Sequence, residues 1–566
     1  MTEPTMSGAG SVSGVSGARP ASNNTAGSAR GSHPSRPSFT ELWIVSASCA
    51  ALSLLAILWS WRNHAILNYG DAIAHLHIAR RVFDSRFPGL SQLGSVWLPL
   101  PHVLMLPFVQ VYSLWANGLA GTIPSAIAWL AACVGIYRLA RHWLSPAASA
   151  VTLAFFALNP NLTYLQTTAM TEPLFLCEMI WMVVALVEWR TALVEEDNAR
   201  VDRLHGWIAL VLVAATFTRY DGWIMALFAW TTMGIELLRR GRLRSRSFWI
   251  ASAFVVAAPL VWFAYNAIYF GDWLDFARGP YSAKAIELRT AHGSGSLHPG
   301  FHNPWVALAY YLKVSEMDTF AVARNFLLAL TALGTLGAWF AYRRRAFDWA
   351  LLLWVPVPFY AYSVAYGWVP IFFPAWWPHS WYNTRYGMEI LPAFALGLGF
   401  VAQFLLSAAR EFKPQLRRYA AAALFVLVAL NAWAMVRQRP LVYVEGTLNK
   451  HARASFDREI PPALRAVLAA CPSGAVLMNT SVNPELVALT GIPLRQTINE
   501  SDRWIYRQAL AAPAGHAAIV LAFDGDEVDT AIKAHPAKLR AVRHFTAPKQ
   551  PSGTLYVTPL CNSGGQ

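Results

Sequence analysis

The chain has 566 residues, 55% of them hydrophobic and 13% aromatic, yet only 13% charged, about half the charge density of an ordinary soluble protein. That balance, with 25 Trp and 30 Phe and a positive mean hydropathy, excludes a soluble globular body and points to a bilayer as the main solvent. The formal charge of +14 does not indicate nucleic acid, because the arginines punctuate apolar runs instead of forming a basic face.

Residues 1–40 read as a disordered tail. They are rich in Ser, Gly and Ala, and Arg19, Arg30 and Arg36 face a single acid, Glu3, with no apolar period. They are not a signal peptide, since the apolar run that begins near Leu42 is too long for one. The basic bias assigns the tail to the cytoplasm.

Basic clusters then set the expected topology. Arg138 and Arg141, Arg190 with Arg200 and Arg203, Arg239 through Arg246, Arg343 to Arg345, and Arg410 through Arg418 each close an apolar run. If all are cytoplasmic, single spans return outward at about 146–164, 205–218, 247–268, 347–366 and 418–436, for about eleven spans in all. The apolar stretch 98–116, which opens LPLPH and contains Pro107, must then lie along the membrane or re-enter it.

On this topology the outer side receives the unusual residues. The loop 62–121 carries Asp71, His75, His77 and His102. The turn QTTAMTEP (166–173) carries Glu172, and the turn RYDG carries Arg219, Tyr220 and Asp221. A loop at about 269–319 carries Arg278, Lys284, Glu287, His292, His298 and His302. The aromatic run GWVPIFFPAWWPHSWY (367–382) precedes Arg385 and Tyr386. Residues 437–566 read as a soluble α/β domain, with strands at AVLMNT (475–480) and AAIVLAF (517–523) and helices near 483–490 and 525–534. That domain shows no phosphate fingerprint and no catalytic signal. Cys49, Cys133 and Cys177 fall in apolar segments as small core residues. Cys471 and Cys561 share the soluble part, where an oxidising compartment would permit a disulfide.

The acid-bearing first outer loop, TEPLF (171–175), TRYDGW (218–223), NTRYGMEILP (383–392) and the soluble C-terminal appendage resemble, in order and sidedness, the membrane glycosyltransferases of the GT-C fold. The likeness covers residues 41–436 and is nearest to the protein mannosyltransferase, aminoarabinose transferase and Rgt-like groups (glycosyltransferase family 39-like). It implies a mainly α, polytopic helical bundle in the plasma (inner) membrane with its active site on the extracytoplasmic side. Its partners would be a polyprenyl-phosphate-linked sugar, an extracytoplasmic acceptor and membrane lipid. A transporter or flippase of a lipid-linked substrate, or a ligase of lipid-linked oligosaccharide, is the alternative; the first would be expected to show repeated halves, which this sequence lacks.

By the resemblance, Asp71 is the reacting carboxylate that takes the acceptor's proton, and Glu172 matches the family's second outer acid. Arg219 and Arg385 are the candidates to grip the carrier's phosphate, with Tyr220, Asp221 and Tyr386 beside them and Lys284 and Arg278 as alternates. His75, one helical turn after Asp71, and His102 are secondary candidates for an acid–base or metal role. Many members place two adjacent acids in the first loop, whereas this chain reads Gly70-Asp71-Ala72. No cofactor is demanded, and dependence on a divalent metal stays open.

Overall fold

The computed structural model describes residues 37–561 apart from 295–296, 344–345, 482 and 549. Residues 1–36 of the expected tail, Arg344 and Arg345 lie outside the described residues, as does the side chain of His292, while Ser38 to Thr40, expected in the tail, already cap and open the first helix.

The chain begins with a long helix, α1 (Phe39–Arg62), opened by a capping box between Ser38 and Glu41. Two short helices, α2 (Gly70–Arg81) and α3 (Leu100–Val109), lie in the long connection that follows; at 10 residues, α3 is too short to cross a bilayer. Next come α4 (Leu119–Ala140), α5 (Pro146–Ala157), α6 (Pro160–Leu165), α7 (Glu172–Val194), α8 (Asn198–Thr218), α9 (Tyr220–Arg239) and α10 (Arg246–Phe270). After a long loop follow α11 (Pro304–Thr319), α12 (Arg324–Tyr342), α13 (Pro356–Tyr366), α14 (Leu391–Phe412), α15 (Leu416–Arg437) and α16 (Leu441–Ala470).

Among the described residues, eight helical segments are long and apolar enough to cross a membrane, against the eleven spans expected. One difference is physical: the span expected at 146–164 is broken. Asn159 caps a new helix through its side chain, accepting from the backbone of Asn161 at 3.0 Å and Leu162 at 3.2 Å, and Pro160 cannot continue the old one. Helix α8 is longer than expected and runs for 21 residues from Asn198. Helix α7 has 23 residues but carries Glu178, Glu188 and Arg190 along its length.

Helix α7 is the axis of the bundle. It is buried on nearly every side, with Phe175, Met182 and Trp189 wholly enclosed between α4 and α8, as expected of a helix whose apolar residues fall on all its faces. By contrast, α1 and α15 turn Ile44, Leu54 and Leu55, and Val426, Leu427 and Trp433, outward. Water solvates such stripes poorly and lipid solvates them well.

The C-terminal part is a small α/β unit. Its five strands are β1 (Val476–Met478), β2 (Thr497–Ile498), β3 (Ile519–Phe523), β4 (Arg540–Phe545) and β5 (Gly553–Val557), in the order β2-β1-β3-β5-β4. β1 is parallel to β2 and β3, and β5 is antiparallel to β3 and β4, with Val520 opposite Tyr556. The central strand β3 is buried along its whole length, which is why it reads as an unbroken apolar run. Cys471 and Cys561 are joined as a disulfide.

Candidate functional site

Four backbone features bring distant charges together at one end of the bundle. Asp71 stands in the first turn of α2, where the N-terminal dipole favours an acid; the residue capping that helix is Tyr69. Glu172 opens α7 just before Pro173. Arg219 is a single extended residue (φ −150°, ψ 154°) between α8 and α9, so the chain turns sharply there. The turn closes tightly because residue 222 is glycine: a Cβ there would lie 2.2 Å from the carbonyl oxygen of Ala215. Arg385 lies in a 3-10 turn, Thr384–Ile390, entered through Asn383 in the left-handed region (φ 55°), which asparagine tolerates.

The two guanidiniums share one carboxylate. Glu172 Oε1 accepts from Arg385 Nε at 3.0 Å and from Arg219 Nη1 at 3.3 Å, and its side chain is 1% exposed. Arg385 Nη2 donates to Asp71 Oδ2 at 2.7 Å. Arg219 Nε donates to both oxygens of Asp221 at 3.2 Å, and its Nη2 lies 2.7 Å from Glu389 Oε1. Tyr360 donates its hydroxyl to Glu389 at 2.7 Å while accepting from Arg219 at 2.8 Å. The Tyr386 ring lies between the arginines, its centroid 5.1 Å from the Arg219 guanidinium carbon and 5.0 Å from that of Arg385. Bifurcated, fully engaged guanidiniums of this kind have little conformational freedom left. Asp71 differs from the rest: its side chain is 43% exposed.

The other candidates lie elsewhere. Tyr220 turns away, donates to the Val96 carbonyl at 2.8 Å and stacks on Phe276. Lys284 sits over the Trp368 ring, and Arg278 pairs with Asp272 at the surface. His298 hydrogen-bonds Glu287 at 2.8 Å and faces the Val364 carbonyl. His75 Nδ1 meets His102 Nε2 at 2.8 Å and stacks against Trp97. Burial holds the His75 imidazole down to about 4, the Glu172 carboxylate opposing this in part, and pushes that of His102 well below its ordinary value. His77 packs against Trp115 and is held to about 3 by its burial. Among the described residues, no group of three or more His, Cys, Asp or Glu side chains is arranged to hold a metal ion.

Sequence reasoning did not single out Glu389, Tyr360 or Glu445. Glu389 had a signal: an acid one helical turn after Arg385 within an apolar run. Tyr360 and Glu445 had none, since each is ordinary in its local sequence.

At its charged end the arrangement offers a solvent-facing carboxylate oriented by an arginine, beside a second arginine held in a nearly closed ion network. That combination suits proton abstraction next to a site that stabilises a departing anion.

No family model matches the chain, and no curated protein matches it. Among solved structures it is similar to ArnT from Cupriavidus metallidurans bound to undecaprenyl phosphate, at 13% identity and a TM-score of 0.54 over 93% of this chain and 99% of that one. The apo state of the same protein gives 13% identity and 0.49 over 94% and 100%. The oligosaccharyltransferase of Archaeoglobus fulgidus, in complex with Zn and sulfate, gives 10% and 0.46 over 91% and 73%. The first of these likenesses establishes the fold: this chain has the polytopic helical architecture of the GT-C membrane proteins.

Proposed function

We propose that the chain is a membrane glycosyltransferase that moves a sugar from a polyprenyl-phosphate carrier to an extracytoplasmic acceptor with inversion, Asp71 acting as the base. The observation that carries this reading is the 2.7 Å contact from Arg385 Nη2 to the accessible carboxylate of Asp71, because it sets a base against a guanidinium otherwise engaged by buried acids. The shared fold with ArnT, whose structure holds undecaprenyl phosphate, supports a polyprenyl-phosphate donor.

In the reaction, the acceptor hydroxyl gives its proton to Asp71 as its oxygen bonds to the anomeric carbon. The bond from that carbon to the carrier's phosphate oxygen breaks, and the electron pair stays on the phosphate. Arg385 and Arg219 face the charge that develops there, and their carboxylate partners keep both guanidiniums in place without reorganisation. One carboxylate suffices for such a single displacement.

Sidedness is supported by the two ends of α7. Glu172 at its start joins the site, while Glu188 lies with Arg138 and Arg200 about 24 Å along the helix at 1.5 Å per residue. Basic residues gather at the end away from the site, the pattern of a cytoplasmic face, which supports a site on the outer side of the membrane.

Purified protein offered a panel of polyprenyl-phosphate sugars and an acceptor extract should release carrier phosphate with at least one donor. Asp71→Asn should lower that release by about a thousandfold or more while the protein still elutes as folded from size exclusion. Full activity in Asp71→Asn removes the central assignment.

A further inference from the structure

The segment that leaves the membrane after α15 reads in sequence as the start of a separate soluble domain, yet its first helix reaches into the site. Val442, Glu445, Gly446, Lys450 and Arg453 fall on one face of α16 at helical spacing. That face grips the stretch leading into Asp71. Tyr69 donates its hydroxyl to the Val442 carbonyl at 2.7 Å, Lys450 donates to the His64 carbonyl at 2.6 Å, and Arg453 donates to that of Leu67 at 2.7 Å. Tyr69 packs so closely that a Cβ on Gly446 would lie 2.9 Å from its ring and 3.0 Å from the Tyr164 hydroxyl.

From the same face Glu445, 2% exposed, holds the turn that carries Arg385. Its Oε1 accepts from the Asn383 backbone at 3.0 Å and from Arg385 Nη1 at 3.5 Å. Its Oε2 accepts from the Thr384 backbone at 2.9 Å and the Thr384 hydroxyl at 2.6 Å. Four donors occupy the four lone-pair directions of one buried carboxylate, so the residue is committed to this turn.

We infer that α16 is a crossbar of the site and that Glu445 is a positioning residue, holding Arg385 where its guanidinium meets both Asp71 and the carrier phosphate. This rests on the polyprenyl-phosphate reading above. It makes the C-terminal segment part of the donor-binding machinery through residues that never touch the reacting atoms.

The test measures the Kd of undecaprenyl phosphate for the full-length protein in nanodiscs, as wild type, Arg385→Ala, Glu445→Gln and the double variant. Arg385→Ala should weaken binding by about tenfold or more, a lost charge-assisted bond. Glu445→Gln should weaken it by a similar factor and add nothing on the Arg385→Ala background, because it acts through that side chain. A merely structural glutamate would give additive losses. If Glu445→Gln does not fold, Thr384→Val, which removes one donor and no charge, should weaken binding by about threefold. Wild-type affinity in the variant that folds, or additive losses in the double variant, overturns the crossbar and leaves the proposed function standing. Unchanged affinity in Arg385→Ala removes the phosphate grip and the inference with it. Failure of wild type to bind the carrier phosphate overturns both readings.

Discussion

The two ends of α7 carry the same chemistry in different solvents. At one end Glu172 bridges Arg219 and Arg385; at the other Glu188 bridges Arg138 and Arg200. Across the Glu172 pairs the side chains are 1–13% exposed, whereas across the Glu188 pairs they are 13–34% exposed. Water and salt reach the second cluster more readily, so its ion pairs are screened more and are weaker. The first cannot be screened in that way, and removing one partner strands charges that have no other solvent. A motif of one Glu between two Arg therefore says little until its burial is known.

The sharpest way to break this comparison is to delete the shared acid at each end. Glu172→Gln should destabilise the detergent-solubilised protein by about 3 kcal/mol and reduce transfer more than about a hundredfold; an unchanged melting temperature and rate would remove the claim that burial sets the strength of the site cluster. Arg219→Lys comes next. A single ammonium cannot serve Glu172, Asp221, Glu389 and Tyr360 together, so transfer should fall about thirtyfold, or about 2 kcal/mol, measured as initial rates at saturating donor.

Acid tests the buried side by another route. The folded His75 titrates near 4 because it is buried, whereas an unfolded imidazole titrates near 6.5. Between those values the unfolded chain binds the extra proton, so stability falls as pH drops through the window. From pH 6.5 to pH 5 the loss should be about 2 kcal/mol, and His77 acts in the same direction. Melting curves across that range should show the slope, and His75→Gln should flatten part of it; an equal slope in that variant would assign the effect elsewhere. At the screened end, Glu188→Gln should cost under about 1 kcal/mol with transfer unchanged. Arg278→Ala, which loses one exposed pair with Asp272, should be the smallest change of all, within the scatter of the melting measurement.

Much of the site could be read from local pattern because charges are conspicuous in an apolar chain. Asp71, Glu172, Arg219, Asp221, Arg385 and Tyr386 each stand out beside a membrane-length run, and the structure brings these six together. Lys284 and Arg278, the weaker alternates, lie over Trp368 and against Asp272 instead. Nothing local separates a cation that turns inward from one that stays in a surface loop. The break at Asn159-Pro160 was visible as a cap followed by a breaker, but hydropathy averaged across it.

By itself, the sequence determined that this chain dissolves in a bilayer, that conspicuous acids and arginines flank its apolar runs, and that a small α/β unit follows them. Apolar runs, basic punctuation and strand-length hydrophobic stretches are local properties, and a chain cannot hide them. Only the tertiary structure decided which acids pair with which arginines and that Glu445, 60 residues beyond Arg385, holds the same turn. Those pairings depend on which helix faces meet and how much water remains between them, and side-chain burial is a property of the packed molecule that no stretch of sequence carries alone.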